Sequence, residues 1–288
     1  MLELLAVAVV VTMAGIGVLV RRSRRGASPV RDEDVAGSGR RVLVAVAHPA
    51  SAEGLGDLAA AVARFDRGRV EAICVIDEGS VADVTALAEE TVSRCRTAVI
   101  DGGVEATQRV RVDASVGHGV LHRAVELDAS LVVLGWPGTG EDGVSAGIAP
   151  AIRDGPAPLL LARLQGYRWD RIRVCVPASR SDAGLDASLR LATEVSERIG
   201  RTRGVPVVRE PVGPSEPTVR STAADGATEL KVVPVAPHRG AVQRAIDDAA
   251  PFGDLVLALC HGPEAREHRP LLASAGRLYD VATSSPSR

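Results

Sequence analysis

Aromatic residues are scarce in this sequence of 288 residues, at 2% of the total. A core must therefore be built from aliphatic side chains, in a chain that is long enough for two domains. Six aromatic side chains offer no platform on which the bases of a single strand could stack, and a formal net charge of -2 gives no attraction to phosphates. The composition predicts that nucleic acid is not a partner.

Lysine is almost absent, since Lys231 is the only one. It follows Leu230 rather than a glycine-rich turn, so the chain has no G-x-x-x-x-G-K-[ST] phosphate loop.

The four cysteines are widely spaced without a C-x-x-C pair, which is typical of reduced thiols and gives no zinc site. His118 and His122 stand four residues apart on one helical pattern, but a third metal ligand is not evident. We predict no metal and outward-facing histidines.

The amino terminus contains a long uncharged run at residues 4–20. As a helix this run would extend roughly 26 Å, close to the hydrocarbon thickness of a bilayer, although a buried helix of a soluble protein is the alternative. The sequence RRSRR follows at 21–25, and positive charge favours the cytoplasmic side. We predict a transmembrane helix at 1–22, a polar linker at 23–40, and a single-pass protein of the cell membrane whose remaining chain is cytoplasmic.

Two stretches of the remaining chain repeat each other. RVLVAVAHPASAEGL at 41–55 aligns without a gap with RIRVCVPASRSDAGL at 171–185. Two later segments recur in the same order, 119–126 as 240–247 and 130–138 as 254–262. Because the order is preserved, the sequence predicts a duplication, with one domain at 41–164 and a second at 171–288.

Apolar runs alternate with helical patterns along the first copy. This alternation predicts an α/β fold of Rossmann-like type, in which helices cover both faces of a parallel sheet. PLLLAR at 158–163 is the last predicted strand of the first copy, and the second copy has no counterpart of it. We therefore predict that the second domain lacks its last strand. The strand at 254–260 would then be an edge, covered by the first domain, by a partner subunit or by residues 277–288.

The stretch LVVLGWPGTGEDGVSAGI fits several functional patterns. Gly138, Gly140 and Gly143 form the dinucleotide pattern G-x-G-x-x-G, but Pro150 interrupts the long helix that this pattern requires. Ser145 lies in a hydrolase pattern G-x-S-x-G, but nine residues beyond Trp136, where the strand is expected to end, rather than on a sharp turn. Because neither catalytic pattern fits, we predict that the protein is not an enzyme.

A third pattern in this stretch resembles the phosphate loop of the universal stress protein family. In that loop a strand-end glycine, G-x-x-G, a spacer and a further glycine precede a short helix and a final strand. The corresponding residues are Gly135, Gly138 and Gly147, followed by IAPAIRDG and APLLLAR. The resemblance covers 41–163 well and 171–288 more weakly. It implies two universal-stress-protein-like domains after the transmembrane helix.

The same resemblance implies an adenine-nucleotide site, since glycine amides of this loop hold the phosphates in nucleotide-binding members. The chain departs from their pattern at several positions, and its spacer from Gly138 to Gly147 is eight residues rather than nine. Ala47 stands where those members carry a nucleoside-binding Asp, Ile148 replaces a hydroxyl residue, and Leu259 replaces the strand-end glycine in the second copy. His48, beside Ala47, could contact a ligand or be a solvated loop histidine. The expected cofactor is therefore none, with ATP or AMP as the alternative.

The segment AHPASA at 47–52 is similar to the start of the cytosolic tails of prokaryotic cation/proton antiporters and amino-acid permeases. Together with tandem copies behind a membrane segment, this resemblance implies a membrane-tethered, non-catalytic regulatory or interaction module, associated with transport or stress response. Its expected partners are the membrane, a transporter, and another copy of itself through the sheet edge. The alternative is an adenine-nucleotide sensor that binds through the first copy only.

Overall fold

The structure of the protein is a computed structural model, and it describes most of the chain beyond residue 38. The described residues are 39–78, 81–136, 147–164, 168–177, 183–212, 228–237, 239–249, 254–260 and 279–281. The predicted transmembrane helix at 1–22 and nearly all of the predicted linker lie outside these ranges. Within them, no helix combines the length and the apolar character that crossing a bilayer requires.

The first copy alternates strands and helices, as the sequence predicts. Its strands are β1 Arg41–Ala45, β2 Arg69–Asp77, β3 Glu105–Asp113, β4 Leu131–Gly135 and β5 Leu159–Arg163. Its helices are α1 Pro49–Ala63, α2 Val81–Asp101, α3 Val116–Glu126 and α4 Ala149–Asp154, and a 3₁₀ turn at Arg64–Asp66 follows α1. Pro49 suits the first turn of α1, because an N–H at this position would have no partner within the helix and none is lost.

The second copy is described in fewer elements. Its strands are β6 Arg171–Pro177, β7 Val207–Val212, β8 Glu229–Val235 and β9 Leu255–Leu259. Its helices are α5 Ala183–Arg203 and α6 Arg239–Ala249. A short strand near the end of the chain, β10 Tyr279–Val281, pairs antiparallel with β3 of the first copy.

The ten described strands form one sheet, in the order β10-β3-β2-β1-β4-β5-β9-β8-β6-β7, within a single compact unit of residues 39–288. Strands β1 to β5 run parallel to one another, and so do β6 to β9. The copies meet where β5 pairs antiparallel with β9, from Leu159 opposite Leu259 to Arg163 opposite Leu255. The prediction that the strand at 254–260 is covered is confirmed, and the first copy provides the cover.

The strand order matches the strands of the two copies differently from the sequence alignment of the two copies. β8 lies beside β6 and β9 lies outside β8, as β4 lies beside β1 and β5 lies outside β4. The strand at 254–260 therefore occupies the last position of its copy, whereas the sequence comparison predicts that this position is missing. The reason is that hydrogen-bonded neighbours, rather than the apolar pattern, decide the place of a strand. Among the described residues, the position without a counterpart is the one outside β7, which β3 fills in the first copy. The division into domains at 41–164 and 171–288 stays a prediction.

Aliphatic residues fill both faces of the sheet. Because side chains alternate along a strand, Val42 and Val44 of β1 join the core beneath α1 and α2, while Leu43 joins the core beneath α3 and α4. Leu43 and Val44 are both fully buried. The predicted α/β class, with helices on both faces of a mostly parallel sheet, is confirmed.

Charged groups join Arg40 and the 3₁₀ turn of the first copy to α5 of the second. Arg40 donates to Glu194 at 2.7 Å and lies 3.2 Å from Asp66. Arg198 contacts the same two carboxylates, Asp66 at 2.7 Å and Glu194 at 2.9 Å. Two positive and two negative groups therefore alternate in a half-buried quartet, and removal of one member would leave an uncompensated charge.

Both tryptophans of the chain lie near the junction of β5 and β9. Trp136 follows β4 and is 5% exposed, and the guanidinium carbon of Arg163 lies 5.2 Å from the centre of its ring. The Trp169 Nε1 donates to Asp254 at 2.6 Å. Burial lowers the pKa of Arg163, and the nearby Asp254 partly opposes this effect. Two of the few aromatic side chains thus pack where β5 of the first copy meets β9 of the second.

Leu161→Ala should destabilise the protein by about 2–5 kcal/mol, because Leu161 is fully buried in β5 at the junction of the copies. Leu87 offers a matched control, since it is 47% exposed on α2, and Leu87→Ala should change the free energy of unfolding by less than about 0.5 kcal/mol. Urea unfolding followed by circular dichroism measures both. Equal effects of the two substitutions would contradict the position of β5 in the core.

Candidate functional site

The carboxyl ends of β1 and β4 lie side by side, because these strands are neighbours and run parallel. β1 leads into Ala47 and His48, which are both exposed, and β4 ends at Gly135. Their helices, α1 and α4, pack on opposite faces of the sheet, and α/β sheets bind ligands at such a switch point. The structure brings these three predicted site residues to one edge. A fourth, Gly138, lies outside the described residues.

His48 serves as the amino-terminal cap of α1. Its Nδ1 accepts a hydrogen bond from the Ala50 N–H at 3.1 Å, which requires that this nitrogen carry no proton. The His48 carbonyl also accepts from the Ser51 N–H at 3.1 Å and from the Ser51 hydroxyl at 3.0 Å. The ring is exposed, but one of its nitrogens is used by the helix. The sequence indicates this role only through the position of His48 directly before Pro49.

A side chain at Gly135 would crowd the packing of α1 against β4. A Cβ at this position would come within 2.6 Å of Leu55 Cδ1. Leu55 is fully buried, so its side chain has little room to move away. The strand-end glycine that resembles a phosphate-loop residue therefore has a structural reason to be glycine.

Gly147 and Ile148 lie at the start of α4 and are tied to α3. The Gly147 carbonyl accepts from the Gly117 N–H at 2.5 Å, and a Cβ on Gly117 would lie 2.4 Å from that oxygen. The Ile148 side chain packs on the core around α3 and α4, which includes Val120. Apolar packing thus occupies the position where the nucleotide-binding pattern places a hydroxyl.

The two histidines of α3 have different partners. His118 is exposed, as predicted, and its Nδ1 lies 2.9 Å from the hydroxyl of Ser115. His122 is half-buried and its Nδ1 lies 3.0 Å from Asp113 Oδ2, so it contacts the end of β3 rather than facing outwards as predicted. The ring centres lie 6.3 Å apart. In the described ranges, no group of three or more His, Cys, Asp or Glu residues is placed to hold a metal ion.

Asp113 ends β3 and is held by several donors. Besides His122, it accepts from the Ala114 N–H at 2.9 Å and from Arg111 Nε at 3.2 Å. Burial raises the pKa of Asp113, but the hydrogen bonds from His122, Ala114 and Arg111 outweigh burial, so the pKa is lowered overall. The carboxylate is thereby kept charged.

An ionic network continues from Asp113 beneath α3. Arg123 donates two hydrogen bonds to Glu71, at 2.5 and 2.6 Å, and this carboxylate raises the pKa of Arg123. Glu126 contacts both Arg123 and Arg111, each at 3.0 Å. Glu71 and Arg111 are only 7% and 2% exposed. Because each of these buried charges is paired with an opposite charge, the ion pairs offset the cost of burial.

This network was not identified from the sequence, because the strands of the first copy were considered there only as apolar runs. The signal was present in the alternation of Arg109, Arg111 and Asp113 with two valines, which places the charged residues on one face of β3. Ser115 stands beside a histidine, but its hydroxyl accepts from the His118 N–H at 3.3 Å as the cap of α3. The polar groups described at this edge hold helices and strands in place.

No model of a known protein family matches the chain, and no curated protein matches its sequence. Solved structures do match its fold. A protein of unknown function from Pseudomonas aeruginosa PAO1 is 12% identical, with a TM-score of 0.57 over 83% of this chain and 99% of its own. A universal stress protein from Pseudomonas aeruginosa UCBPP-PA14 is 12% identical, with a TM-score of 0.55 over the same shares. The cytoplasmic domain of a prokaryotic cation chloride cotransporter is 14% identical, with a TM-score of 0.53 over 81% of this chain and 99% of its own.

At these identities the likeness shows the fold alone. The fold is of universal-stress-protein type, as the resemblance of the glycine pattern implies. Universal stress proteins solved with dAMP and with cAMP also match, but their TM-scores of 0.31 and 0.28 carry no argument about a ligand of this chain.

Gly117→Ala should loosen the contact between α3 and the start of α4. The new methyl group would meet the Gly147 carbonyl oxygen, which is a backbone atom and cannot move alone. We expect a loss of about 1–3 kcal/mol in the free energy of unfolding and faster hydrogen exchange of the amide at position 117. Urea unfolding and exchange measured by NMR report the two effects. An amide that stays equally protected would contradict the contact.

Asp113→Asn should remove a stabilisation that depends on pH. Because the folded pKa of Asp113 is lowered, its carboxylate stabilises the fold above the unfolded pKa of about 3.9, and this contribution is lost as the pH falls through the folded pKa. The wild type should exceed the variant in stability at neutral pH and lose that advantage in strong acid. Asp128→Asn removes an exposed carboxylate paired with Arg41 and should have a smaller effect. A difference for Asp113→Asn that is constant with pH would contradict this assignment.

Proposed function

We propose that this chain is a membrane-tethered, non-catalytic regulatory module of universal-stress-protein type, which acts in the cytoplasm on a transport protein or in a stress response. The observation that carries the proposal is the use of the candidate nucleotide edge for internal contacts. His48 caps a helix, Gly135 makes room for Leu55, and the Gly147 carbonyl binds α3. Each of these groups is used within the fold, and Ala47 and Ile148 lack the side chains that nucleotide-binding members carry at these positions.

The described polar side chains near this edge support the same proposal. Asp113 is occupied by three donors, and Arg123 forms a bidentate contact with Glu71. A general base must be within reach of a substrate proton, and an activated nucleophile needs a base beside it. Ser115, which lies beside His118, uses its oxygen to cap α3. This arrangement suits a rigid scaffold that is recognised through its surface.

Association with transport is supported by the fold likeness to the cytoplasmic domain of a cation chloride cotransporter, which extends over nearly the whole of that domain. It also rests on the sequence at 47–52 and on the apolar run at 4–20. Because one fold can serve many functions, the fold likeness does not identify a transport partner, and that partner is proposed.

The orientation of the tether can be tested by proteolysis. If residues 4–20 span the bilayer with RRSRR inside, protease added to right-side-out vesicles should leave residues 41–288 intact, and opening the vesicles with detergent should allow digestion. Replacing the four arginines at 21, 22, 24 and 25 by glutamine should weaken this orientation. Digestion in sealed vesicles would overturn the cytoplasmic location.

Equilibrium dialysis of the full chain with labelled ATP and AMP tests the alternative, an adenine-nucleotide sensor that binds through the first copy. We expect no saturable binding, because the described loop residues serve internal contacts. Gly138→Val is the matched variant, since a side chain at this glycine would obstruct the approach of a phosphate to backbone amides. Saturable binding by the wild type that this variant abolishes would replace our proposal with the sensor.

A further inference from the structure

The turn after α1 holds an aromatic side chain in solvent. Residues Arg64–Asp66 form the 3₁₀ turn, and Arg67 closes it in the left-handed region with φ 49°. The Gly68 N–H returns to the Ala63 carbonyl at 3.0 Å, so the turn is fixed at both ends. Phe65 at its tip is 46% exposed. We name Arg64, Phe65 and Arg67 the basic corner.

The charge of the basic corner is positive. Asp66 and Glu194 are balanced by Arg40 and Arg198 in their quartet. Arg64 and Arg67 are exposed, and the described part of the chain gives neither of them an ion pair. Two positive charges therefore flank Phe65 without a described counter-charge.

The described chain begins at the basic corner. Gly39 lies so close to the Arg67 backbone that a Cβ on Gly39 would come within 2.4 Å of the Arg67 carbonyl oxygen. The carbonyl of the next residue, Arg40, accepts a hydrogen bond from the Arg69 N–H at 2.9 Å. Everything that precedes residue 39, including RRSRR at 21–25, is thus covalently attached at this corner.

We propose that the basic corner is a second membrane contact, which docks on the anionic lipid headgroups of the cytoplasmic leaflet. A single exposed apolar residue is ordinary on a protein surface. Here it is an aromatic residue in a chain that has few, two arginines flank it, and the attachment point of the predicted membrane segment lies beside it. Aromatic rings at headgroup level and arginines beside them are the combination that interfacial contacts use.

This proposal rests on the proposed membrane tether. The tether keeps the corner within reach of the bilayer, so a weak contact is repeatedly formed without diffusion from solution. Each arginine near an anionic surface should favour the docked state roughly fivefold. Docking would fix the orientation of the sheet relative to the bilayer.

Hydrogen exchange of the full chain in lipid nanodiscs tests the docking. Exchange of residues 64–69 should be several-fold slower in discs that contain phosphatidylglycerol than in discs of phosphatidylcholine alone. The pair of substitutions Arg64→Gln and Arg67→Gln should abolish this difference, and Phe65→Ser should reduce it. Leu87→Ser is the matched control, because Leu87 is also exposed, at 47%, but lies on α2.

Flotation of the same proteins with vesicles tests the membrane tether separately from the docking. A chain that floats, with exchange at 64–69 that does not depend on lipid charge, would overturn the docking and leave the tether standing. Slowed exchange that persists in the glutamine variant would also overturn it, because the arginines would then not be the cause. A full chain that does not float would overturn the tether and the docking together.

Discussion

The antiparallel pairing of β5 with β9 is the contact on which the rest of the structure depends. Every residue of both strands is buried, so either strand alone would be an apolar edge of the kind that leads to aggregation. The pairing removes both edges in a single step. It also places α1 against α5, and beside this contact Arg40 and Asp66 form a quartet with Glu194 and Arg198 of α5. The sheet and the helix contact therefore stabilise the same junction.

The antiparallel direction of this pairing determines how the strand ends of the two copies are oriented relative to each other. Because β5 and β9 run antiparallel, the carboxyl ends of the strands in the two copies point in opposite directions. The edge at Ala47, His48 and Gly135 therefore has no matching edge beside it from the second copy. The second copy instead supplies a neighbour for β5 and a surface for α1. Its changes from the glycine pattern, such as Leu259, are compatible with this structural role.

The local elements of the fold were predictable, because strand and helix periodicity is strong in a chain whose core is aliphatic. The partner of β9 was not, since an apolar strand pattern does not specify which of several strands will lie beside it. The same ambiguity hid the position of β8 next to β6. At the candidate site, the glycines were predictable from their spacing. The cap formed by His48 and the pair of Asp113 with His122 depend on distances that only the folded chain defines.

The clustering of Trp136 and Trp169 at the junction has a spectroscopic consequence. Since these are the only two indole groups of the protein, its intrinsic fluorescence reports almost entirely on the place where the copies meet. Energy absorbed by the few tyrosines adds little to that signal. A change in emission at constant helical content would therefore reveal separation of the two copies as folded bodies, an event that most probes of secondary structure cannot detect.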